Sequence, residues 1–437
     1  METPTPSSRL ARLASSVVVR NTGWMLAAQI VRLLAQIGYF VLIARALGVD
    51  GLGELAAALA VVFLLVPFSG VGAGNLLILN VARAPRTFPA CWGYALCATT
   101  GSAVLLAAVA VFAGRLLLPD LSARLLLAIA AAELAFGKLC ELAGQAFQAF
   151  ERLRVTALLS LVLPTLRFAA AAGYVALASS PNAESWALAY LAASALASFL
   201  CLTVVTRWLG LPGRGRRFSL RDVRTGLAFS VSYSAALIYS DIDKLMLARL
   251  AGLEVVGIYT AAYRAASTAL IPVLALLSST YARFFAYGSR GLRATVPFAK
   301  RLLPASLAYG LVAGVALFAL APLVPAVLGE SYRESTDALR WLAALPLLQG
   351  VGYLAGDALS GADRQGLRCA LQAGAAALNV GLNLLLIPAY SWKGAAWATL
   401  ASLAILAAAL WLAASVLERG EARGAPTDPL LGAARMP

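Results

Sequence analysis

Apolar runs of about 20 residues recur along the whole chain, and that is the length a helix needs to cross the hydrocarbon core of a bilayer. Twelve segments qualify, at 21–44, 54–79, 88–113, 122–150, 154–178, 184–208, 223–248, 255–284, 295–320, 336–360, 367–388 and 393–417. Runs this long are not barrel strands, and lipid offers the backbone no outside partner, so each is expected to be a helix. Composition agrees, with 61% of residues hydrophobic and 13% charged, where a soluble domain is about a quarter charged. The expected fold class is an all-α integral membrane protein of twelve transmembrane helices.

The net charge of +15 would suggest nucleic acid in a soluble protein. Here the charges fall in the short gaps between apolar runs, so no nucleic-acid partner is expected. Of the 35 Lys and Arg, 23 lie at the two termini and in the gaps after the even-numbered runs. Only Arg45, Arg115, Arg124, Arg249, Arg333, Arg340 and Lys393 lie in the opposite gaps. By the positive-inside rule both termini are expected in the cytoplasm. Residues 1–20 carry Arg9, Arg12 and Arg20, but the run behind them is too long for a signal peptide and is expected to stay as the first span.

An internal repeat divides the chain. At a spacing of 204, Ala44, Arg45, Gly48, Asp50, Gly53, Ala57 and Ala58 fall on Ala248, Arg249, Gly252, Glu254, Gly257, Ala261 and Ala262. Midway between the ends lies the polar stretch GLPGRGRRFSLRD, whose Pro212, Gly213 and Gly215 oppose helix. The expected organisation is a six-helix lobe at 1–209, a basic cytoplasmic linker at 210–222, a second six-helix lobe at 223–418 and a disordered polar tail at 419–437. Six is even, so the lobes would share one orientation and be related by a pseudo-two-fold along the membrane normal.

Ten ionisable residues lie well inside the runs: Arg32, Lys138, Arg167, Lys244, Arg264, Glu133, Glu141, Asp241, Asp243 and Asp357. At about 2.5–3.5 kcal/mol each facing lipid, they would together cost about 25–35 kcal/mol, more than a typical net stability of about 5–15 kcal/mol. They must pair or line a wet cavity. Helical spacing gathers polar residues into stripes: Gln29, Arg32 and Gln36 in run 1; Glu133, Glu141, Gln145, Gln148 and Arg152 in run 4. Thr156, Ser160 and Arg167 share a face of run 5, Thr260, Arg264 and Ser267 one of run 8, and Gln372, Asn379 and Asn383 one of run 11. Lys138 with Glu141, and Asp241 with Lys244, stand three apart and can bridge within one helix. Arg32, Arg167 and Arg264 have no acid within four residues along the chain, and are expected to face a cavity. Arg45 and Arg249 fall at outer helix ends, where arginine snorkels or caps carbonyls.

Pro67 and Pro272 read as hinges, Pro346 with Gly350 and Gly352 as a further kink, and Gly72 and Gly74 as close packing. The five cysteines, Cys91, Cys97, Cys140, Cys201 and Cys369, have no metal or redox spacing and read as small buried hydrophobes. With no histidine, no imidazole serves as base or ligand. No phosphate-binding loop appears and the outer gaps are short, so neither an enzyme, a metal nor a cofactor is expected.

The stretches ARALGVDGLGELAAA and DKLMLARLAGLEVVGIYTAAYR resemble the polysaccharide transporters, the Wzx-type oligosaccharide flippases of bacterial envelope synthesis. Their superfamily also holds multidrug and toxin extruders and the lipid II flippase. The resemblance implies a MATE-like fold of two lobes with alternating access, in the inner membrane. It implies export of a polyprenyl-pyrophosphate-linked oligosaccharide, with a polysaccharide polymerase and other envelope-synthesis proteins as partners beside the membrane lipids, and a monomeric transporter. Drug extruders of the superfamily commonly carry a carboxylate in span 1, where this chain has Arg32 and no acid. On this reading Arg32, Arg167 and Arg264, with Gln29, Gln145, Asn379 and Asn383, meet the cargo. Glu133, Glu141, Asp357 and Asp241 are the candidates for a coupling ion. A cation-coupled multidrug or small-molecule antiporter is the alternative.

Overall fold

A computed structural model describes residues 6–213 and 241–423. Among these residues the chain is helical, with no strand. Helix α1 (Pro6–Phe63) is followed by a 3₁₀ segment (Val66–Gly72), α2 (Ala73–Arg83) and α3 (Phe88–Leu117). Next come α4 (Ala123–Ala130), a π-helical turn (Ala131–Gly137), α5 (Lys138–Gln148), α6 (Leu153–Leu177) and α7 (Ala183–Leu209). After α8 (241–250) come α9 (Leu253–Thr268), α10 (Ile271–Gly288), α11 (Leu292–Leu320), α12 (Val324–Leu328), α13 (Ser335–Leu342), α14 (Leu345–Gly361), α15 (Gln365–Tyr390) and α16 (Trp392–Arg423).

Among the described residues eight helices are long and apolar enough to cross a membrane, or nine if the bent pair α9–α10 counts as one span. The sequence segments differ from these for physical reasons. Run 1 and the start of run 2 lie on α1, which bends at Gly48, whose φ of 68° needs no Cβ, and run 2 continues through the 3₁₀ segment into α2. Run 4 carries Glu133, Lys138 and Glu141 and is interrupted by the π-turn. Run 7 lies mostly outside the described residues, as does most of the 210–222 linker.

Three of the helix breaks carry a proline in the segment that follows them. Pro272 and Pro346 each sit in the first turn of a helix that restarts after a break, where a missing N–H costs nothing. The α9–α10 break bends by 42°. Behind Pro67 the chain unwinds at Ser69 (ψ 130°), and Gly70, Val71 and Gly72 all take positive φ. For a β-branched residue such as Val71 that is a genuine outlier. The turn is tied down by Gly70 N–H donating to Ser102 Oγ at 2.8 Å and Ser69 Oγ donating to the Leu134 carbonyl at 2.6 Å.

Two compact units result: residues up to Gly257 with Val327–Tyr332, and Ile258–Ala326 with the chain from Arg333 on. In the first, Leu77, Phe88, Trp92, Leu142 and Phe147 build the core with Cys91, Cys140 and Cys201. Cys97, by contrast, is exposed and Cys369 half-buried, so the buried reading fails for these two. In the second, Leu270, Val273, Phe284, Leu292, Leu354 and Leu410 form the core. The outward faces stay apolar, as Val104, Leu105 and Phe112 on α3 and Val312 and Val315 on α11 show. Water would penalise such faces, and lipid does not.

Within the first unit the two copies of the repeat meet. A side chain at Gly53 would run into the Leu253 carbonyl, and one at Gly257 into the Val49 carbonyl. Val49 and Leu253 are themselves 204 apart, so the contact is reciprocal, and Gly252 repeats the positive φ of Gly48 at 102°. Arg45 and Arg249 are both exposed beside it. Tyr332 locks the Gly48 bend. Its buried hydroxyl lies 2.9 Å from the Ala44 carbonyl and 2.7 Å from that of Gly48, and burial, then the Asp50 charge, raises its pKa.

In the second unit α16 continues five residues past Glu418, where the polar tail was expected to begin. Partners explain the extension: Glu418 pairs with Lys300 at 3.1 Å, and Glu421 accepts the first N–H of α11, from Leu292, at 2.9 Å. A carboxylate at a helix N-terminus satisfies orphan donors and the dipole together.

Candidate functional site

The polar stripes of runs 4 and 5 face each other. At one end Thr156 Oγ1 donates to the Gly144 carbonyl at 3.2 Å. At the other, Arg167 Nη1 on α6 meets Glu133 Oε1 at 3.0 Å, the two side chains being only 14% and 12% exposed. The remaining guanidinium nitrogens are taken as well: Nε and Nη2 donate to Ser194 Oγ at 3.1 and 3.0 Å. Tyr190 holds the pair from α7, its hydroxyl donating to Glu133 and its ring lying 4.0 Å from the Arg167 carbon. Tyr39 and Trp186 pack around Tyr190, with ring centroids 6.2 and 5.9 Å away.

Arg167 is therefore not the unpaired cation its sequence neighbourhood implies. Its acid comes from another helix, 34 residues earlier. A buried pair of this kind does little for net stability when intact, but stranding either partner is costly, about 3–5 kcal/mol.

The π-turn puts Glu133 in place. At about 100° per residue, Glu133 and Glu141 would stand about 80° apart in a plain α-helix. One extra residue absorbed by the π-turn brings them to within about 20°. In the structure Glu133 turns to Arg167 and is nearly buried, while Glu141 is half exposed and pairs with Lys138.

The other candidates fall into separate groups. Glu141 pairs with Lys138 at 2.8 Å and accepts from Gln145 Nε2 at 3.2 Å, while the Gln145 amide rests on Gly74. Arg32 donates to Gln29 at 2.5 Å, one turn away on α1. Lys244 sits between Asp241 at 2.6 Å and Asp243 at 4.0 Å. Both i to i+3 bridges expected from spacing are present. In the second unit Arg264 is exposed on α9, and Asp357 is bound by Arg368 at 3.0 Å, with Ser360 2.8 Å from the same nitrogen. Asn383 Nδ2 donates to Asn379 Oδ1 at 2.9 Å, and Asn383 Oδ1 is buried without a partner among the described residues.

Five participants escaped sequence reasoning. Trp186, Tyr190 and Ser194 recur at steps of four along run 6, a stripe as regular as the others but mostly aromatic. Arg368 reads as a charge in the gap after run 10, yet its side chain reaches back to Asp357. Ser69 is hidden in the broken turn.

This architecture is that of the MATE transporters of the MOP superfamily. An inward-facing multidrug resistance MATE family transporter matches with a TM-score of 0.72 at 16% identity, over 91% of this chain and 99% of that one. An outward-facing multidrug resistance MATE family transporter gives 0.63 at 14%, over 93% and 96%. A MOP superfamily transporter from Pyrococcus furiosus, described as having a binding pocket of reverse polarity that suggests a different function, gives 0.63 at 15%, over 92% and 95%. At these identities the likeness defines the fold, that of a multi-pass membrane protein. No curated protein shows a matching sequence. The family model of polysaccharide biosynthesis proteins matches residues 18–285, more than half of the chain, and the protein belongs to that family.

Proposed function

We propose that the protein is a flippase that carries a polyprenyl-pyrophosphate-linked oligosaccharide across the bacterial inner membrane for surface polysaccharide synthesis. The observation that carries this reading is the family match to polysaccharide biosynthesis proteins on a chain with a transporter fold. The proposed arrangement is twelve spans in two six-helix lobes, both termini cytoplasmic, working by alternating access as a monomer and handing its cargo to a polymerase. Transport, not catalysis, is the work of such a molecule.

Arg32, Arg264, Gln29, Gln145, Asn379 and Asn383 are proposed to meet the cargo, whose sugars need amides and whose pyrophosphate needs guanidinium. Arg167 takes a different role: an anionic head group would have to compete with Glu133 for it. Glu133, Glu141, Asp357 and Asp241 are proposed as carboxylates for a coupling ion, each of which would have to exchange its present cation, Arg167, Lys138, Arg368 or Lys244, for that ion. The multidrug names of the structural neighbours favour a second reading, a cation-coupled antiporter.

Complementation separates the two. In a strain lacking the protein, wild type should restore surface glycan, and Arg32→Ala at equal membrane abundance should not. Undiminished export would remove Arg32 from the site. Drug sensitivity of the deletion strain with normal surface glycan would select the antiporter.

A further inference from the structure

Glu133 reaches Arg167 because the helix around it is wound as a π-turn, and a π-turn needs a reason to persist against the ordinary α register. In an α-helix the Leu134 carbonyl would accept from Lys138 N–H, but that N–H is directed to Ala135 instead. The Ser69 hydroxyl supplies a buried donor to Leu134 at 2.6 Å. Ser69 can reach it only because its own segment is unwound, with Gly70, Val71 and Gly72 at positive φ and Gly70 N–H anchored on Ser102. The broken turn after α1 and the π-turn after α4 thus satisfy each other, one residue away from Glu133.

We propose that Ser69 is a positioning residue for the Glu133–Arg167 pair: its hydrogen bond to Leu134 holds the π-turn, and the π-turn holds Glu133 in register with Arg167. Lacking that donor, the segment relaxes toward the α register and turns Glu133 by about 80–100° off the Arg167 line. The pair and Tyr190 then separate without any change to their own side chains. The proposal deepens the transport reading of this site, but its structural arm stands apart from any cargo.

The test is a double-mutant cycle on the full-length protein. Ser69→Ala is made in wild type and in a Glu133→Gln, Arg167→Gln background, where the ion pair is absent. Melting of the purified protein should fall by several degrees more in wild type than in the Gln background, because only there does the lost hydrogen bond also cost the pair. Ser69→Thr, which keeps the hydroxyl, should restore wild-type melting. Glycan export should fall about fivefold or more with Ser69→Ala, the equivalent of one net hydrogen bond, return with Ser69→Thr, and show no further loss in the Gln background. Should Ser69→Ala not accumulate, Ser69→Gly serves in a segment already rich in glycine. Equal melting losses in both backgrounds, or no recovery with Thr, overturn the proposal. If glycan export proves not to be the activity at all, the melting cycle still decides it.

Discussion

At Arg167 each guanidinium nitrogen has a partner, Nη1 on Glu133 and both Nε and Nη2 on Ser194, and its face lies on the Tyr190 ring. Such a residue behaves differently from an exposed one when it is removed. Arg167→Ala leaves the Glu133 carboxylate buried with only Tyr190, which should cost about 3–5 kcal/mol. Adding Glu133→Gln removes the stranded charge and should recover part of the loss, so the double variant melts above Arg167→Ala alone. A double variant melting at or below the single one would show that the pair does not act as a unit. Residue identity was legible in the sequence and partnership was not. Lys138 with Glu141, and Asp241 with Lys244, could be read from spacing because their partners lie one turn away. Arg167 with Glu133, and Arg368 with Asp357, could not, because those partners are set by how helices pack.

Among the elements, the crossing of the repeated segments is the contact most dependent on a missing side chain. A Cβ at Gly53 or Gly257 would meet a backbone carbonyl, which cannot swing aside as a flexible side chain can. Gly53→Ala and Gly257→Ala should each destabilise by about 1–3 kcal/mol, the usual cost of overpacking. Together they should cost less than the sum, since both open one crossing. Gly101 on α3 meets nothing within 4 Å, and Gly101→Ala should be neutral or stabilising. Melting temperatures of the four variants check this, and a Gly53→Ala protein as stable as Gly101→Ala would refute the close approach. The repeat was visible as a pattern of letters, and its glycines already suggested a backbone requirement. That the two copies touch each other was not visible, nor was the π-turn, because a seven-residue change of winding leaves the apolar pattern of run 4 intact.

On the scale of the molecule, hydropathy alone gave the membrane class and the helical class, since lipid leaves a long apolar run few other choices. It could not say which polar stripes face one another. The stripes of runs 4 and 5 close on each other inside the first unit, so charges expected along a hydrated path are in part internal scaffolding. Arg32, with its Gln29 partner on α1, leads the residues proposed to meet the cargo. The proposed movement of a lipid-linked oligosaccharide is measured on the purified protein in sealed vesicles. A polyprenyl-pyrophosphate oligosaccharide loaded on one leaflet should become accessible to an impermeant glycosidase on the other only when the protein is present, and at a strongly reduced rate with Arg32→Ala. If the glycan stays protected while the same vesicles exchange a cationic drug for protons or sodium, the account is wrong.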